Sequence, residues 1–231
     1  MKSAILDRLL ADRAAKVPVA LVTELAGGGQ AIVHETGAPM GDVALGETEL
    51  AEIRLALKRE DSGILEAGGG RLFAQIHSPP PRLLLVGAVH ISQALAPMAA
   101  LAGYGVSVID PRRAFATDER FPGIAMRGEW PDEAMADLKP DRRTAVVTLT
   151  HDPKLDDPAL QAALRSPAFY IGALGSKKTH AARLQRLAAA GFTPAETARI
   201  HGPVGLSIGA LSPAEIAISV LAQITAVRRS A

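Results

Sequence analysis

The sequence contains no cysteine among its 231 residues. This absence excludes disulfide bonds, thiolate metal sites and a cysteine nucleophile. It also excludes a persulfide carried on this chain. Because disulfides persist mainly in oxidising compartments, a chain that contains none is expected in the cytoplasm.

The sequence also lacks an excess of charge of either sign. Lys and Arg total 25 against 24 Asp and Glu, which gives a formal net charge of +1. No basic run interleaved with aromatic residues is present. We therefore expect no nucleic-acid partner, because such partners are bound through concentrated positive charge.

A long apolar span is missing as well. Residues 83–109 carry no formally charged side chain and have membrane length, but His90, Pro97 and several glycines interrupt them. A strand, a turn, a helix and a second strand explain the same residues, so no membrane helix is expected.

The N-terminal residues 1–16 intersperse charged residues among apolar ones and therefore lack the apolar core of a signal peptide. They predict an amphipathic helix instead. Its apolar face is expected to contain Ile5, Leu9 and Leu10.

Three consecutive prolines, at positions 79–81, indicate a domain boundary because proline lacks a ladder donor and stiffens the chain. We predict a small α+β domain at 1–78 and a second domain at 82–231. In the first, a helix is expected at 47–60. Strands are expected at 17–25, 30–35, 63–67 and 71–77.

After the prolines, short apolar runs alternate with helical patterns. Strands are predicted at 83–87, 106–110, 124–127, 145–150 and 169–173, and helices at 90–102, 131–138, 158–164 and 177–190. Apolar strands that alternate with helices predict an α/β, Rossmann-like parallel sheet covered on both faces. Ligands bind beyond the carboxyl ends of such strands.

The first predicted strand ends at Gly87, where a dinucleotide-binding turn would have two further glycines. Val89 and Ser92 occupy those positions, and Val89 would hinder the approach of a pyrophosphate. The helix that begins at His90 could still hold an anion through its free N–H groups. A nicotinamide dinucleotide in the standard pose is therefore disfavoured.

The second predicted strand ends at Asp110, near the position of an acidic residue that would bind a ribose hydroxyl. Arg112 and Arg113 follow and could receive a phosphate. The same residues also make an ordinary turn, so both interpretations stay open.

The fourth and fifth predicted strands bring further polar residues to the same edge. His151 and Asp152 follow the fourth strand, where a histidine can act as acid, base or ligand. The alternative for the aspartates is helix capping, which we favour for Asp157 before Pro158.

The fifth strand leads into a turn flanked by Gly172 and Gly175. Ser176 and Lys177 then open a helix, and small residues with cations at a helix start favour an anion cradle. Solvated lysines are the alternative. The pattern is not a Walker A loop, which requires a different spacing after the first strand.

Near the C-terminus, Ser212 to Glu215 predict a capping box at the start of a helix. The loop before it contains His201, Gly202 and further glycines, and loops of this kind can close over a ligand. His90, His151 and His201 could in principle bind a metal, but their spacing does not require one and no metal is predicted.

From about Arg82 onward the chain resembles the C-terminal Rossmann-type domain of the XdhC/CoxI family of accessory proteins for molybdenum hydroxylases. The stretches that carry the resemblance are VGAVHISQALAPMAALAGYGVSVIDPRRAFATDERFP, TLTHDPKLDDPAL, YIGALGSKKTHAARLQRL and RIHGPVGLSIGALSPAEIAISVLAQI. They occupy nearly all of the chain after the prolines.

The resemblance implies a homodimeric protein that binds the molybdenum cofactor, molybdopterin with its metal. It implies that the cofactor acquires a terminal sulfido ligand from a partner cysteine desulfurase and is delivered to an apo molybdenum hydroxylase. The residues that fall on the family's motifs and should line the pocket are Gly87, His90, Asp110, Arg112, His151, Gly172, Gly175, Ser176 and Lys177.

The sequence departs from the family at three places. Val89 replaces the second glycine of the first turn, and Ser207 stands where many relatives have an acidic residue. The N-terminal region has neither the family's Pro-Arg segment nor its cysteine, so a role that uses that cysteine is not expected here.

Three functions remain open at this point. The first is a cofactor chaperone without a catalytic cycle of its own. The second is an NAD(P)-dependent oxidoreductase, suggested by the βαβ pattern and Asp110. The third is a nucleotide-binding or nucleotidyl-transfer module that acts on the phosphate of molybdopterin.

Overall fold

The computed structural model describes residues 2–68, 70–112, 114–115 and 117–230. The chain forms two compact units, Met1–Pro79 and Pro80–Ala231. Among the described residues, no helix is long and apolar enough to cross a membrane.

The N-terminal unit contains a five-stranded sheet with strand order β3-β2-β1-β5-β4, in which every neighbouring pair is antiparallel. Its elements in chain order are α1 (Ser3–Ala14), β1 (Val19–Glu24), β2 (Gln30–Val33), β3 (Met40–Gly41), α2 (Glu47–Arg59), β4 (Gly63–Ala67) and β5 (Gly70–His77). The short strand β3 was not predicted from the sequence.

Two helices cover opposite faces of this sheet, which explains why β1 is apolar at consecutive positions. Val19 and Leu21 pack with residues of α1, whereas Ala20 and Val22 pack with Ile53 of α2. The predicted apolar face of α1 is correct for two of its residues and wrong for Leu10, which is 51% exposed. Leu10 lies about 100° around the helix from the buried Leu9 and so leaves the contact face.

The C-terminal unit contains a six-stranded, fully parallel sheet with strand order β11-β10-β9-β6-β7-β8. Its strands are β6 (Arg82–Val86), β7 (Gly105–Ile109), β8 (Ala125–Arg127), β9 (Thr144–Thr148), β10 (Tyr170–Ala173) and β11 (Ile200–His201). Its helices are α3 (His90–Leu101), α4 (Pro131–Leu138), α5 (Pro153–Leu164), α6 (Lys177–Ala189), α7 (Pro194–Thr197) and α8 (Pro213–Ser230).

The strand order places a switch point in the middle of this sheet. The chain runs from β6 outward through β7 to β8, and then returns to β9 on the other side of β6 and continues outward to β11. The carboxyl ends of β6 and β9 are adjacent, with Val86 beside Thr148. This is the doubly wound Rossmann order, whose ligands bind at the switch point. The predicted fold class is confirmed.

Both faces of the sheet are covered, as the apolar strands predicted. Leu83 and Leu85 of β6 pack in a core that includes α3 and α8. The alternate residues Leu84 and Val86 pack in a second core that includes α4, α5 and α6. Space for a ligand therefore lies beyond the carboxyl ends of the strands, because both faces of the sheet are covered with side chains.

One predicted helix start was wrong. Helix α5 begins at Pro153 instead of Pro158, and Asp152 caps it by accepting a hydrogen bond from Lys154 N at 2.9 Å. Proline is favoured at the first helical position after an aspartate cap, and Asp152-Pro153 offers this signal as well as Asp157-Pro158 does. Asp157 is not a cap but pairs with Arg186 Nε of α6 at 2.5 Å.

The start of α8 was predicted correctly. Ser212 N donates to Glu215 Oε2 at 2.8 Å, and Glu215 N donates to Ser212 Oγ at 3.2 Å, which is a capping box. The short elements α7 and β11 were not predicted, because four and two residues are too few to show a periodic pattern.

Candidate functional site

The loops that follow β6 and β9 approach each other at the switch point because Gly87 has no side chain. Gly87 has a φ of +112°, and a Cβ at this position would lie 2.5 Å from Thr150 Cγ2. The first glycine of the turn is thus required both by the backbone conformation and by a close neighbour.

Val89 and Ser92 replace the second and third glycines of the dinucleotide fingerprint with different contacts. Val89 lies at the N-cap of α3 without a side-chain cap. Ser92 is fully buried, and its hydroxyl donates to the carbonyl of Gly87. The Ser92 side chain therefore occupies the position at which the third glycine of a dinucleotide-binding protein allows the helix to pack closely on the strand. His90, the first residue of α3, is exposed.

Asp110 lies at the end of β7 and is fully buried. Its carboxylate accepts hydrogen bonds from Ala88 N at 2.8 Å and from Arg112 N, Nε and Nη2 at 2.9, 2.9 and 2.7 Å. The carboxylate is thus bonded to four donors of the protein itself and ties the end of β7 to the turn after β6.

The electrostatics of Asp110 agree with this bonding. Burial works against the ionised form, but hydrogen bonds from the Arg112 side chain and from the N–H groups of Ala88 and Arg112 outweigh it and lower the pKa. The Arg112 guanidinium also lies 4.8 Å from the centre of the Phe115 ring. Arg113, the second predicted phosphate ligand, lies outside the described residues.

We name residues 149–152, between β9 and α5, the His151 loop. His151 is exposed and has a left-handed backbone conformation, with φ +64°. This conformation is uncommon for a residue other than glycine and marks a constrained position. Thr150 Oγ1 donates to Asp156 Oδ1 at 2.7 Å and accepts from Asp152 N at 3.0 Å. These two hydrogen bonds hold the loop in place.

We name residues 174–176, between β10 and α6, the Ser176 turn. Gly175 has a φ of +140°, and a Cβ there would lie 3.0 Å from Thr179. Ser176 Oγ caps α6 by accepting from Thr179 N at 3.1 Å. Lys177 and Lys178 follow and are exposed, so the predicted helix start with cations is present.

Gly172, earlier on β10, allows a close contact on the α3 and α8 side of the sheet. A Cβ on Gly172 would lie 2.6 Å from Val204 Cγ2 and 2.9 Å from Tyr170 Cε1. Gly172 therefore supports the packing of the loop after β11 and lies within a strand instead of on a ligand-facing turn.

His201 and Gly202 lie at the edge strand β11 and the loop after it. The His201 ring stacks on Tyr170 at 4.7 Å between ring centres, and burial lowers its pKa. Gly202 packs against the ring of His180, where a Cβ would overlap Nδ1. His201 is thus held by aromatic stacking, and its burial favours the neutral form of the ring.

The same loop is anchored to α8 by Gln223. Gln223 Oε1 accepts from Gly205 N at 2.9 Å and from Tyr170 Oη at 2.5 Å. This anchoring fixes the first part of the loop. Within the parts of the chain that the structure describes, no group of three or more His, Asp or Glu residues lies close enough to hold a metal ion.

Two residues of this region were missed by the sequence analysis. Asp156 and Arg183 are each 1% exposed, and Arg183 Nη2 lies 3.8 Å from Asp156 Oδ2. Burial raises the pKa of Asp156, and burial lowers the pKa of Arg183, although their mutual attraction opposes both shifts. The sequence signal for both residues is a charged side chain on the apolar face of a helix. Leu160 lies one turn after Asp156, and Leu187 lies one turn after Arg183, so each leucine marks the buried face of its helix.

The structure brings most of the predicted site residues to one end of the sheet and places the others elsewhere. Gly87, His90, Asp110, His151, Asp152, Gly175, Ser176 and Lys177 lie at or just beyond the carboxyl ends of parallel strands, as does Arg112. Gly172 lies inside a strand, His201 lies on the edge strand β11, and Gly202 follows that strand directly.

Residues 83–224 match the family model of the XdhC Rossmann domain, which covers more than half of the chain. The chain belongs to the XdhC family. The family resemblance read from the sequence is thereby confirmed, and the match begins within β6 and ends within α8.

Similarity to curated proteins extends this result. The chain is 34% identical over 183 residues to YqeB of Escherichia coli K12, covering 77% of this chain and 33% of YqeB. It is 37% identical over 150 residues to the molybdenum cofactor insertion chaperone PaoD of the same organism, covering 65% of this chain and 41% of PaoD.

A third relative, from Bacillus subtilis 168, is named as a probable subunit of xanthine dehydrogenase. It is 35% identical over 159 residues, 68% of this chain and 46% of the relative. The chain spans between a third and just under half of these three relatives. A crystal structure of a xanthine dehydrogenase from Bacillus halodurans superposes with a TM-score of 0.76 and 27% identity. That match covers 97% of this chain and 66% of the other.

Proposed function

We propose that this XdhC-family chain binds the molybdenum cofactor at the switch point of its parallel sheet and passes it to an apo molybdenum hydroxylase. The observation that carries the proposal is the 37% identity to a molybdenum cofactor insertion chaperone, in a chain whose strand order contains the switch point at which sheets of this kind bind ligands. The chain acts as a carrier without a catalytic cycle of its own.

The edge of the sheet has the chemistry to hold a phosphate, which molybdopterin carries. Helices α3 and α6 both begin at this edge, and neither has an acidic residue in its first turn. Helix starts favour anions through their N–H groups and partial positive charge. Lys177 and Lys178 add positive charge at the start of α6.

Two exposed histidines provide imidazole groups that contact the part of the cofactor other than its phosphate. His90 begins α3 and His151 lies in the His151 loop. An exposed imidazole can donate or accept a hydrogen bond near neutral pH. We assign both to contacts with the bound cofactor, with Arg112 and Asp152 at the margins of the same crevice.

The sulfur for a terminal sulfido ligand must come from a partner. This chain contains no cysteine, so it carries no persulfide. A cysteine desulfurase that presents its own persulfide to the bound cofactor fits this composition. A homodimer and a xanthine or carbon monoxide dehydrogenase type of client complete the proposal.

The NAD(P) alternative is less well supported by the geometry. A ribose hydroxyl would require a carboxylate oxygen of Asp110, but both oxygens already accept hydrogen bonds from Ala88 and Arg112. Val89 occupies the N-cap where a pyrophosphate would meet the backbone.

The test is to purify the full chain anaerobically from a molybdenum-replete host and to identify the released ligand by mass spectrometry and pterin fluorescence. Recovery of a molybdopterin derivative at substantial occupancy is the expected result. Recovery of NAD(P) or of a nucleotide would contradict the proposal. An empty protein that also fails to bind isolated molybdenum cofactor under anaerobic conditions would contradict it as well.

A further inference from the structure

A buried ion pair lies beneath two loops of the candidate site, and the proposed cargo contacts use neither of its members. Asp156 lies on α5 and Arg183 on α6, and each is 1% exposed. Both helices pack on the same face of the parallel sheet. The pair therefore lies on that face of the sheet and is hydrogen-bonded to the segments that follow β9 and β10.

Asp156 holds the His151 loop. Its Oδ1 accepts from Thr150 Oγ1 at 2.7 Å and from Thr150 N at 3.3 Å. Thr150 Oγ1 in turn accepts from Asp152 N at 3.0 Å. The carboxylate thus fixes the segment that presents His151 in its left-handed conformation.

Arg183 holds the Ser176 turn. Its Nη2 donates to the carbonyl of Leu174 at 2.7 Å. Leu174 is the first residue of this turn, and its N–H donates to Thr148 O of β9 at 2.9 Å. The guanidinium therefore sets the direction in which the chain leaves β10 and enters α6.

The pair itself is incompletely bonded. Asp156 Oδ2 and the Nε and Nη1 atoms of Arg183 are buried and have no hydrogen-bond partner among the described residues. Thr148 Oγ1, on the same face of the sheet, is a further buried atom of this kind. Buried polar atoms without partners cost free energy, and a buried ion pair adds little net stability, so this arrangement indicates a positional role.

We propose that Asp156 and Arg183 are positioning residues that couple the His151 loop to the Ser176 turn. Each side chain is hydrogen-bonded to one of the two segments, and the two charged groups lie 3.8 Å apart. A movement of one segment therefore changes the hydrogen bonding of the other. A phosphate-bearing ligand that orders the Ser176 turn then also orders the His151 loop. The nature of that ligand rests on the proposed function, but the coupling belongs to the chain alone.

The first experiment measures hydrogen–deuterium exchange of the ligand-free full chain in wild type, Asp156→Asn and Asp157→Asn. Asp157 is a matched control, because it also joins α5 to α6, through Arg186, but bonds neither loop. In Asp156→Asn we expect exchange to rise about fivefold or more in residues 149–153 and also in 174–178. In Asp157→Asn, exchange in 174–178 should stay within about twofold of wild type.

A milder pair of variants covers the case in which Asp156→Asn does not fold. Thr150→Val removes the hydroxyl that bonds Asp156, whereas Thr150→Ser keeps it. Exchange in 174–178 should rise about threefold in the valine variant and remain unchanged in the serine variant. A response that stays within 149–153 in both Asp156→Asn and Thr150→Val would overturn the coupling.

A second readout separates the coupling from the proposed function. Anaerobic titration with isolated molybdenum cofactor should give an affinity about tenfold weaker for Asp156→Asn and unchanged for Asp157→Asn. If wild type binds no cofactor but Asp156→Asn raises exchange in both loops, the proposed function is wrong and the coupling stands. If wild type binds cofactor but the exchange response stops at the His151 loop, the coupling is wrong and the proposed function stands.

Discussion

The two halves of the switch point are built differently. On the β6–β7 side, Asp110 is buried and bonded to four donors from Ala88 and Arg112. On the β9–β10 side, Asp156 and Arg183 are equally buried but leave polar atoms without partners among the described residues. A fully bonded carboxylate fixes a backbone in one position, whereas a buried pair with unsatisfied atoms has hydrogen-bonding capacity that a movement of the adjoining loops can use. We interpret the first half as a rigid support and the second as the half that adapts to a ligand.

The largest effect is expected from breaking the rigid half. Asp110→Ala leaves the Ala88 N–H and the Arg112 guanidinium without their acceptor, and should lower the free energy of unfolding by about 3 kcal/mol. Urea denaturation followed by circular dichroism measures this change. The control is Asp137→Asn, which removes an exposed partner of Arg127 and should cost less than about 1 kcal/mol. Equal losses in both variants would contradict a special role for Asp110.

The approach of the two halves can be broken at Gly87. Gly87→Ala forces a side chain into a φ of +112° and against Thr150, and should lower the free energy of unfolding by about 2–3 kcal/mol. Gly103→Ala is the matched control, since Gly103 also has a positive φ, +85°, but a Cβ there meets nothing within 4 Å. Thermal unfolding of both should show the larger loss for Gly87→Ala, and similar losses would mean that the contact with Thr150 is unimportant.

Removal of charge from the adaptive half should act on binding. Lys177→Ala with Lys178→Ala should weaken the binding of isolated molybdenum cofactor by about 1–2 kcal/mol while leaving the stability of the chain nearly unchanged. Anaerobic titration measures the affinity. Lys58→Ala with Arg59→Ala removes the same charge from exposed residues of the N-terminal unit and is the control. If both double variants bind as wild type does, the lysines are only solvated.

The two buried aspartates should give pH dependences of opposite sign. The pKa of Asp110 is lowered, so its contribution to stability is present above the ordinary value of 3.8 and is lost as the pH falls through the lower value in the folded protein. The pKa of Asp156 is raised, so its contribution is present below 3.8 and is lost as the pH rises through the higher folded value.

These signs are testable by measuring the free energy of unfolding between about pH 3 and pH 6. Replacing Asp110 with Asn should flatten the rise of stability with pH, and replacing Asp156 with Asn should steepen it. The same direction of change in both variants would show that the two halves do not differ in this way.

The smallest effect is expected at Val89. Val89→Gly restores the second glycine of the dinucleotide turn, but Asp110 stays bonded to Ala88 and Arg112. Fluorescence titration with NADH should therefore detect almost no gain in affinity. Strong binding by this variant would show that Val89 alone prevents dinucleotide binding.

Much of the fold could be predicted because it depends on local patterns. Apolar runs such as Thr144–Thr148 are buried on both faces, and the helix Pro131–Leu138 has a proline at its first position, so both are visible in the sequence. The start of α5 could not be decided, because Asp152-Pro153 and Asp157-Pro158 carry the same signal. The structure shows that Asp152 caps the helix while Asp157 pairs with Arg186, a partner distant in the sequence.

The site was only partly predictable for a related reason. The end of a strand can be recognised from the residues next to it in the sequence, so Gly87, Asp110 and His151 were found from the sequence. The bonding of a side chain is not local: Asp110 receives a hydrogen bond from Ala88, and Asp156 meets Arg183, across long separations in the chain. No spacing rule connects such pairs, so their roles required the structure.

The central claim is that the cofactor binds at the switch point of the C-terminal sheet. The most direct test compares hydrogen–deuterium exchange of the full chain with and without isolated molybdenum cofactor under anaerobic conditions. We predict slower exchange in three segments, 87–92, 149–153 and 174–178, and little change in the N-terminal strands. Protection elsewhere with none in these three segments would contradict the claim.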